Sequence, residues 1–413
     1  MSSNATTSLF TFRRVLLLLA GLFVVWLAWF FAIACHGSVR FLAGRVVFEY
    51  VLHHDNAEIE KESRSGDAGV YYFTSYYLNA LLSAVEATGS ERLLKKTLHY
   101  MDNMLATAQE ISYKGKKYKA WGPFVVLPKS AVPKPNVHFT LQASVPLVRA
   151  AAIIRSHPQF AHRYENQAKA YVEFVDSAAI QYWYASEYGG HVPWIDAVNV
   201  PIWNDNGTNM GLVSVFLYRS TGNPLYAQIA RSVGEAFQRK LVISGRGWIW
   251  ESHTIPIGSD TDNTPGSVGN QAGVPDTSHT NREPFFMISL HEAGLMYERS
   301  DIERMGYTLI DNIWNQSYDN PSFANYMNGS NKPYRVYKEP GLNGPIYHGW
   351  VMTGGYLPQA QGAMVSTLKA ILRGKKNPSL ERNSTSYGGK LGLAGHILRN
   401  YAVANRWGVF AED

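Results

Sequence analysis

Residues 275–294 read Pro-Asp-Thr-Ser-His-Thr-Asn-Arg-Glu-Pro-Phe-Phe-Met-Ile-Ser-Leu-His-Glu-Ala-Gly. Within 276–283 stand Asp276, Ser278, His279, Asn281, Arg282 and Glu283, and they run straight into Phe285, Phe286, Met287, Ile288 and Leu290. These types serve proton transfer and charge stabilisation. An imidazole titrates near neutrality, a carboxylate orients it or acts as acid or base, and a guanidinium neutralises an anion. Helix capping accounts for one Asp, Ser or Asn at each helix start. Pro284 suits a first helical position, which would put Glu283 at the cap. Capping does not account for six polar side chains, and His279 and Arg282 are poor caps. His291, after the apolar run, reads as structural.

Four further polar groups each stand before an apolar segment. They are Tyr71, Tyr72, Thr74 and Ser75; Asn136 and His138; Trp203, Asn204, Asp205, Asn206 and Asn209; and Tyr347, His348, Trp350 and Tyr356. A metal site is not indicated, because no His-x-x-x-His spacing occurs. Gly-x-Ser-x-Gly and the P-loop are also missing, and the Gly389–Gly395 run lacks the preceding strand a phosphate loop needs. No cofactor is expected.

The elements that must position these groups are helical hairpins. Tyr77–Leu82 leads through Gly89-Ser90 to a helix from Glu91, and Phe139–Ile154 through His157-Pro158 to one from about Ala161. Leu212–Tyr218 leads through Gly222-Asn223-Pro224 to one from Leu225, and Phe285–Leu290 through Gly294 to one from Ile302. A fifth hairpin begins near Gln359, Gly389–Val403 forms a closing helix, and 47–70 adds a partner. The first helix of each pair is apolar all round. The second carries one stripe, as in Leu225, Ile229, Val233, Phe237 and Leu241, or Ile302, Met305, Leu309 and Ile313. A helix apolar all round belongs inside and a striped one outside, so repeated inner–outer pairs stack into a ring or solenoid. Parallel inner helices would bring all five polar groups to one end, together with helix N-termini that favour anions. The 40 residues between Leu241 and Arg282 are too long for a regular solenoid and point to functional loops.

This architecture, over about residues 70 to 405, resembles the (α/α)-toroid of many glycoside hydrolases and polysaccharide lyases. The fold class is therefore all-α, an (α/α)6-like toroid. The resemblance implies a glycan substrate, polysaccharide or oligosaccharide. Two chemistries fit one cleft. In β-elimination on a uronic-acid polymer, Asn206, Asn209, Asn281 and Arg282 neutralise the carboxylate, His138 or His279 removes the C5 proton, and Tyr347 or Tyr356 is the acid. Uronate C5-epimerisation shares that first step. Glycoside hydrolysis needs two carboxylates; candidates are Asp196, Asp205, Glu251, Asp276 and Glu283, with Asp276 paired to Asp205 or Glu251. The residue inventory and basic charge favour elimination slightly. His279, His138, Tyr347 and Asp276 are the expected catalytic set. Asn136, Trp203, Asn206, Asn209, Asn281, Arg282, Glu283, His348, Trp350 and Tyr356 are the expected substrate contacts. A non-catalytic glycan-binding protein is the third reading, which the density of titratable groups disfavours.

The bulk properties agree. With 413 residues and 46% hydrophobic content, a large core is available. The 11 Trp and 25 Tyr suit sugar rings. A formal charge of +6 fits an acidic polymer, whereas nucleic acid is not expected: the densest basic run is Lys114, Lys116, Lys117 and Lys119, read as a solvated loop. One cysteine, Cys35, allows neither an internal disulfide nor a cysteine metal site. Arg13 and Arg14 precede the uncharged run Val15–Ala34, long enough to span a bilayer. The expected organisation is a cytoplasmic tail (1–14), a transmembrane anchor or uncleaved signal (15–35), a linker and first helix (36–69), and one catalytic toroid (70–413). Ala-Ile-Ala-Cys also resembles a lipoprotein cleavage site. Either way the catalytic part lies outside the cytoplasm, periplasmic, extracellular or lumenal. Asn206, Asn315, Asn328 and Asn383 head glycosylation sequons.

Overall fold

The computed structural model describes residues 36–122, 136–182, 204–250, 274–332, 341–385 and 388–405. The chain divides into two units, Met1–Val46 and Val47–Asp413. The Val15–Ala34 run lies outside the described residues. Among the described residues no helix is long and apolar enough to cross a membrane.

After helix α1 (His36–Glu62) come five inner–outer pairs: α2 (Ala68–Thr88) and α3 (Glu91–Ala106), α4 (Val137–Ser156) and α5 (Pro158–Val175), α6 (Asn204–Thr221) and α7 (Pro224–Gln238), α8 (Arg282–Glu292) and α9 (Arg299–Tyr307), α10 (His348–Met352) and α11 (Pro358–Leu372). Helices α12 (Pro378–Thr385) and α13 (Gly389–Asn405) follow. Each inner helix packs on the next in the order α2, α4, α6, α8, α10, α13, and α13 packs back on α2. The second unit therefore contains a closed six-membered ring.

Local chemistry sets the helix ends. Asp67 accepts from the amides of Gly69 and Val70 to start α2, and Gly89 ends it at a φ of 60°. Ser90 then caps α3, and Asn223 with Pro224 opens α7. The inner helices bury polar as well as apolar positions, as at Asn79, Ser83 and Glu86 of α2. The outer ones bury a stripe: Ile229, Val233 and Phe237, or Ile302, Met305, Leu309 and Ile313. Leu225, at the start of the first stripe, is exposed. Close packing inside the ring needs glycine at Gly395, where a Cβ would overlap the Ala80 carbonyl, and at Gly349, where it would overlap that of Asn281.

Three features differ from the sequence expectation. The run from Gln359 is the outer member of the fifth pair; its inner partner is the single short helix α10, which five residues could not announce by periodicity. Helix α8 starts at Arg282, after a 3-10 turn at His279–Asn281, so Pro284 is its third residue and Asn281 occupies the cap position. Proline is tolerated there because that N–H has no partner inside the helix. The Lys114–Lys119 run forms a two-stranded hairpin, β1 (Gln109–Tyr113) with β2 (Lys116–Ala120), turned at Lys114-Gly115 with φ of 50° and 77°. A second hairpin joins β3 (Val242–Ser244) to β4 (Gly247–Ile249).

Candidate active site

Contacts across the ring fix the direction of the inner helices. Near the N-terminal ends, the Tyr72 ring lies 5.2 Å from that of His138. Midway, Ser83 and His396 are hydrogen-bonded at 2.9 Å. At the C-terminal ends, Arg149 and Arg399 both donate to Glu86, and Arg399 also reaches Glu292. These helices run parallel, and their N-terminal ends form one mouth.

The mouth centres on the turn before α8. Asp276 accepts from the amides of Ser278 at 2.9 Å and His279 at 3.0 Å, and from the Ser278 hydroxyl. This is the Asx geometry that an Asp two residues ahead of a Ser favours. The Thr277 amide and hydroxyl tie the same turn to the carbonyls of Asn325 and Ala324. The other Asp276 oxygen lies 2.5 Å from His279 Nδ1. Burial raises the Asp276 carboxyl, but the His279 ring and the hydrogen bonds outweigh it and leave the pKa at about 2. His279 keeps about a quarter of its side chain exposed, against a tenth for Asp276. The result is an oriented imidazole at the surface backed by a buried carboxylate.

Arg282 crosses the mouth. It donates through Nε to Gln142 Oε1 at 2.9 Å, through Nη1 to the His279 carbonyl at 3.2 Å, and through Nη2 to the Tyr72 hydroxyl. Its guanidinium also lies over the Tyr72 ring, 5.4 Å from the centroid. Because α8 and α2 are on opposite sides of the ring, this one side chain links Tyr72, the Gln142 turn of α4 and the His279 turn. One turn further in, Tyr76 stacks on His348 at 4.6 Å and packs edge-on to Tyr347 at 5.4 Å.

The remaining expected residues are distributed as follows. Asn136 caps α4 by accepting from Phe139 N at 3.2 Å. Asn281 is buried, its amide donating to the Ser278 carbonyl, and Glu283 is buried beside it. Asn209 is wholly buried with neither amide atom hydrogen-bonded. Trp350 belongs to the core, donating Nε1 to the Thr277 carbonyl at 3.2 Å and stacking 6.1 Å from Trp250. Tyr356 is placed at the opposite end, where its hydroxyl donates to Glu292, the last residue of α8, at 2.7 Å. Trp203, Asp196, Glu251 and the side chains of Asp205 and Asn206 lie outside the described residues. Asn383, though in a sequon, is buried, with its amide given to Ser379 and its oxygen accepting from Ile346 N.

Tyr72 and Gln142 are mouth residues that the sequence did not single out as site residues. Tyr72 stood in the polar group heading α2. Gln142 lay inside an apolar run, and only the ring closure sets it opposite Arg282. Among the described residues no group of three or more His, Cys, Asp or Glu could hold a metal ion.

No family model and no curated protein matches the chain. Solved structures do. An inactive variant of an α-1,6-mannanase from Salegentibacter sp. HEL1_6, in complex with α-1,6-mannotetrose, is 11% identical with a TM-score of 0.41, covering 81% of this chain and 88% of its own. A family 76 glycoside hydrolase from a bovine Bacteroides thetaiotaomicron strain is 12% identical at 0.40, covering 81% and 69%. A family 76 mannosidase from Bacteroides thetaiotaomicron VPI-5482 is 11% identical at 0.43, covering 81% and 88%. All three are hydrolases, and none is a lyase. The chemistry of this chain's site follows from its own residues.

Proposed function

We propose that this chain is a carbohydrate-active enzyme that binds a glycan at the mouth of the helical ring and breaks a glycosidic linkage there. His279 is the proton-transfer group and Asp276 its orienting carboxylate. The observation that carries this is the 2.5 Å Asp276–His279 contact at a partly exposed position. A buried carboxylate on Nδ1 selects the tautomer, turns Nε2 away from itself and stabilises the imidazolium once a proton arrives. Hydrolysis is the first reading of the bond-breaking step. A water oxygen adds to the anomeric carbon, its proton goes to a base, and the leaving oxygen receives a proton from an acid. Two buried carboxylates, Asp276 and Glu283, flank the turn that carries His279. Elimination is the second reading, favoured by Arg282 and Tyr72 beside His279. There the base removes the C5 proton of a uronate, the C4–O bond breaks, and a C4–C5 double bond forms, with Arg282 answering the carboxylate charge. The proposed location, outside the cytoplasm on the Val15–Ala34 segment, is supported by that uncharged run alone. Cleavage of the intact-cell protein by an added protease checks it, and complete protection would reverse it.

The test is to incubate the full chain with neutral and acidic polysaccharides and follow reducing ends together with unsaturated-uronate absorbance. New reducing ends without absorbance mean hydrolysis, and absorbance means elimination. Full activity retained by His279→Ala would sink the placement of the site. No product from any polymer would leave a glycan-binding protein.

A further inference from the structure

The aromatic side chains at the mouth are left open in a way that those below it are not. Tyr72 and Phe73, near the start of α2, and His138 and Phe139, at the start of α4, form one contiguous cluster. The Tyr72 ring lies 4.9 Å from that of Phe73, 5.2 Å from His138 and 5.3 Å from Phe139, and His138 lies 5.7 Å from Phe139. Phe73 is 39% exposed, and the other three are half-buried. Deeper on the same helices Tyr76, Leu78, Leu141 and Val145 are buried. Leaving apolar surface in water forgoes the hydrophobic gain. A single exposed ring needs no explanation, but four in mutual contact at one end of the fold point to something that covers them.

The cluster is held in place without a ligand. Arg282 donates to the Tyr72 hydroxyl and lies over the Tyr72 ring, 5.4 Å from its centroid. Asn136 accepts from the Phe139 amide at 3.2 Å and fixes the start of α4. The same guanidinium donates to the His279 carbonyl at 3.2 Å, so the cluster borders the turn that carries His279. Aromatic side chains fixed in this way offer flat contact area with little entropy left to lose on binding.

We propose that Tyr72, Phe73, His138 and Phe139 form a stacking platform for one pyranose unit of the bound glycan, next to the unit on which His279 acts. This rests on the glycan-active reading above. A pyranose carries a row of C–H bonds on one face and hydroxyls around its edge. The C–H face meets the negative π face of an aromatic ring, which matches it in flatness and polarity. A hydrocarbon ligand would cover the aromatic rings but offer nothing to the partly exposed His279 beside them, whereas the hydroxyls of a sugar can still meet polar groups. The platform binds and positions the chain and takes no part in the proton transfer.

The experiment compares the wild-type full chain with Phe73→Leu and Phe73→Trp on disaccharides and hexasaccharides of neutral and acidic sugars, with Kd in place of KM for a glycan that is bound without being cleaved. Leucine keeps apolar bulk and removes the aromatic ring, and tryptophan keeps a ring. Because Phe73 is exposed, both variants should retain the wild-type thermal transition. Phe73→Leu is expected to raise KM about fivefold on the hexasaccharide and less on the disaccharide, with kcat little changed, and Phe73→Trp to stay near the wild type. Equal KM in the three proteins, with turnover still dependent on His279, overturns the platform and leaves the reading of the mouth standing. An equal rise for leucine and tryptophan also overturns it, because stacking would then not be the cause. A loss of kcat at unchanged KM overturns the binding role. No glycan bound or cleaved by the wild type overturns both.

Discussion

Replacing Asp276 by Asn tests the link between turn geometry and chemistry. The amide keeps the size of the side chain and still accepts from the Ser278 and His279 amides, so the turn survives. What it removes is the negative charge 2.5 Å from His279 Nδ1. The carboxyl pKa of Asp276 falls from 3.8 to about 2, a difference on the order of 2–3 kcal/mol. That figure is a net one: burial opposes it, and Ser278 and the backbone amides share with His279 in the lowering, so it sets only the order of magnitude. If all of it were realised in the transition state, kcat would fall roughly 70-fold; with half, about tenfold. The titration midpoint of the His279 ring, followed by NMR, should fall as well, because the imidazolium loses its counter-charge. Both are measured on protein shown to be folded by its thermal transition. A His279 midpoint unchanged and a kcat within about twofold of wild type would refute the orienting role of Asp276.

Two further outcomes follow from the interior of the ring. Glu86→Ala strands the buried Arg149 and Arg399 guanidinium groups and should cost about 3–5 kcal/mol in urea denaturation; a loss below about 1 kcal/mol would contradict the ion-pair network drawn here. Burial raises the Glu86 carboxyl, but the two arginines outweigh it and hold it at about 2, so, like Asp276, it stabilises the fold fully above about pH 5 and loses that effect as the pH falls through about 2. Gly349→Ala pushes a methyl into the Asn281 carbonyl, which precedes Arg282, and should cost at least about 2 kcal/mol while weakening glycan binding; an unchanged urea midpoint would show that α10 can shift freely.

Much of the architecture is legible along the chain because it is written in local terms. All-round apolar runs alternate with striped ones, and the separating turns carry Gly, Asn, Ser and Pro. The inner–outer order at four hairpins follows from that alone. The fifth does not, because α10 is too short to show a period and its outer partner α11 is the more conspicuous helix. The Asp-x-Ser-His turn is likewise local, and its chemistry can be anticipated from residue types. Tyr356 shows the opposite case. It follows His348 by only eight positions, yet a 3-10 turn at Thr353–Gly355 carries it to the far end of the ring, beside Glu292.

The sequence by itself determined the helix inventory, the caps and the polar character of the residues ahead of each inner helix, since each depends on neighbours a few positions away. Only the tertiary structure decided which of those residues meet. Arg282 reaches Tyr72 across 210 positions and Gln142 across 140, and Ser83 meets His396 across 313. Such contacts depend on the closure of α13 against α2, and ring closure is a property of the whole set of packed helices that no single segment carries.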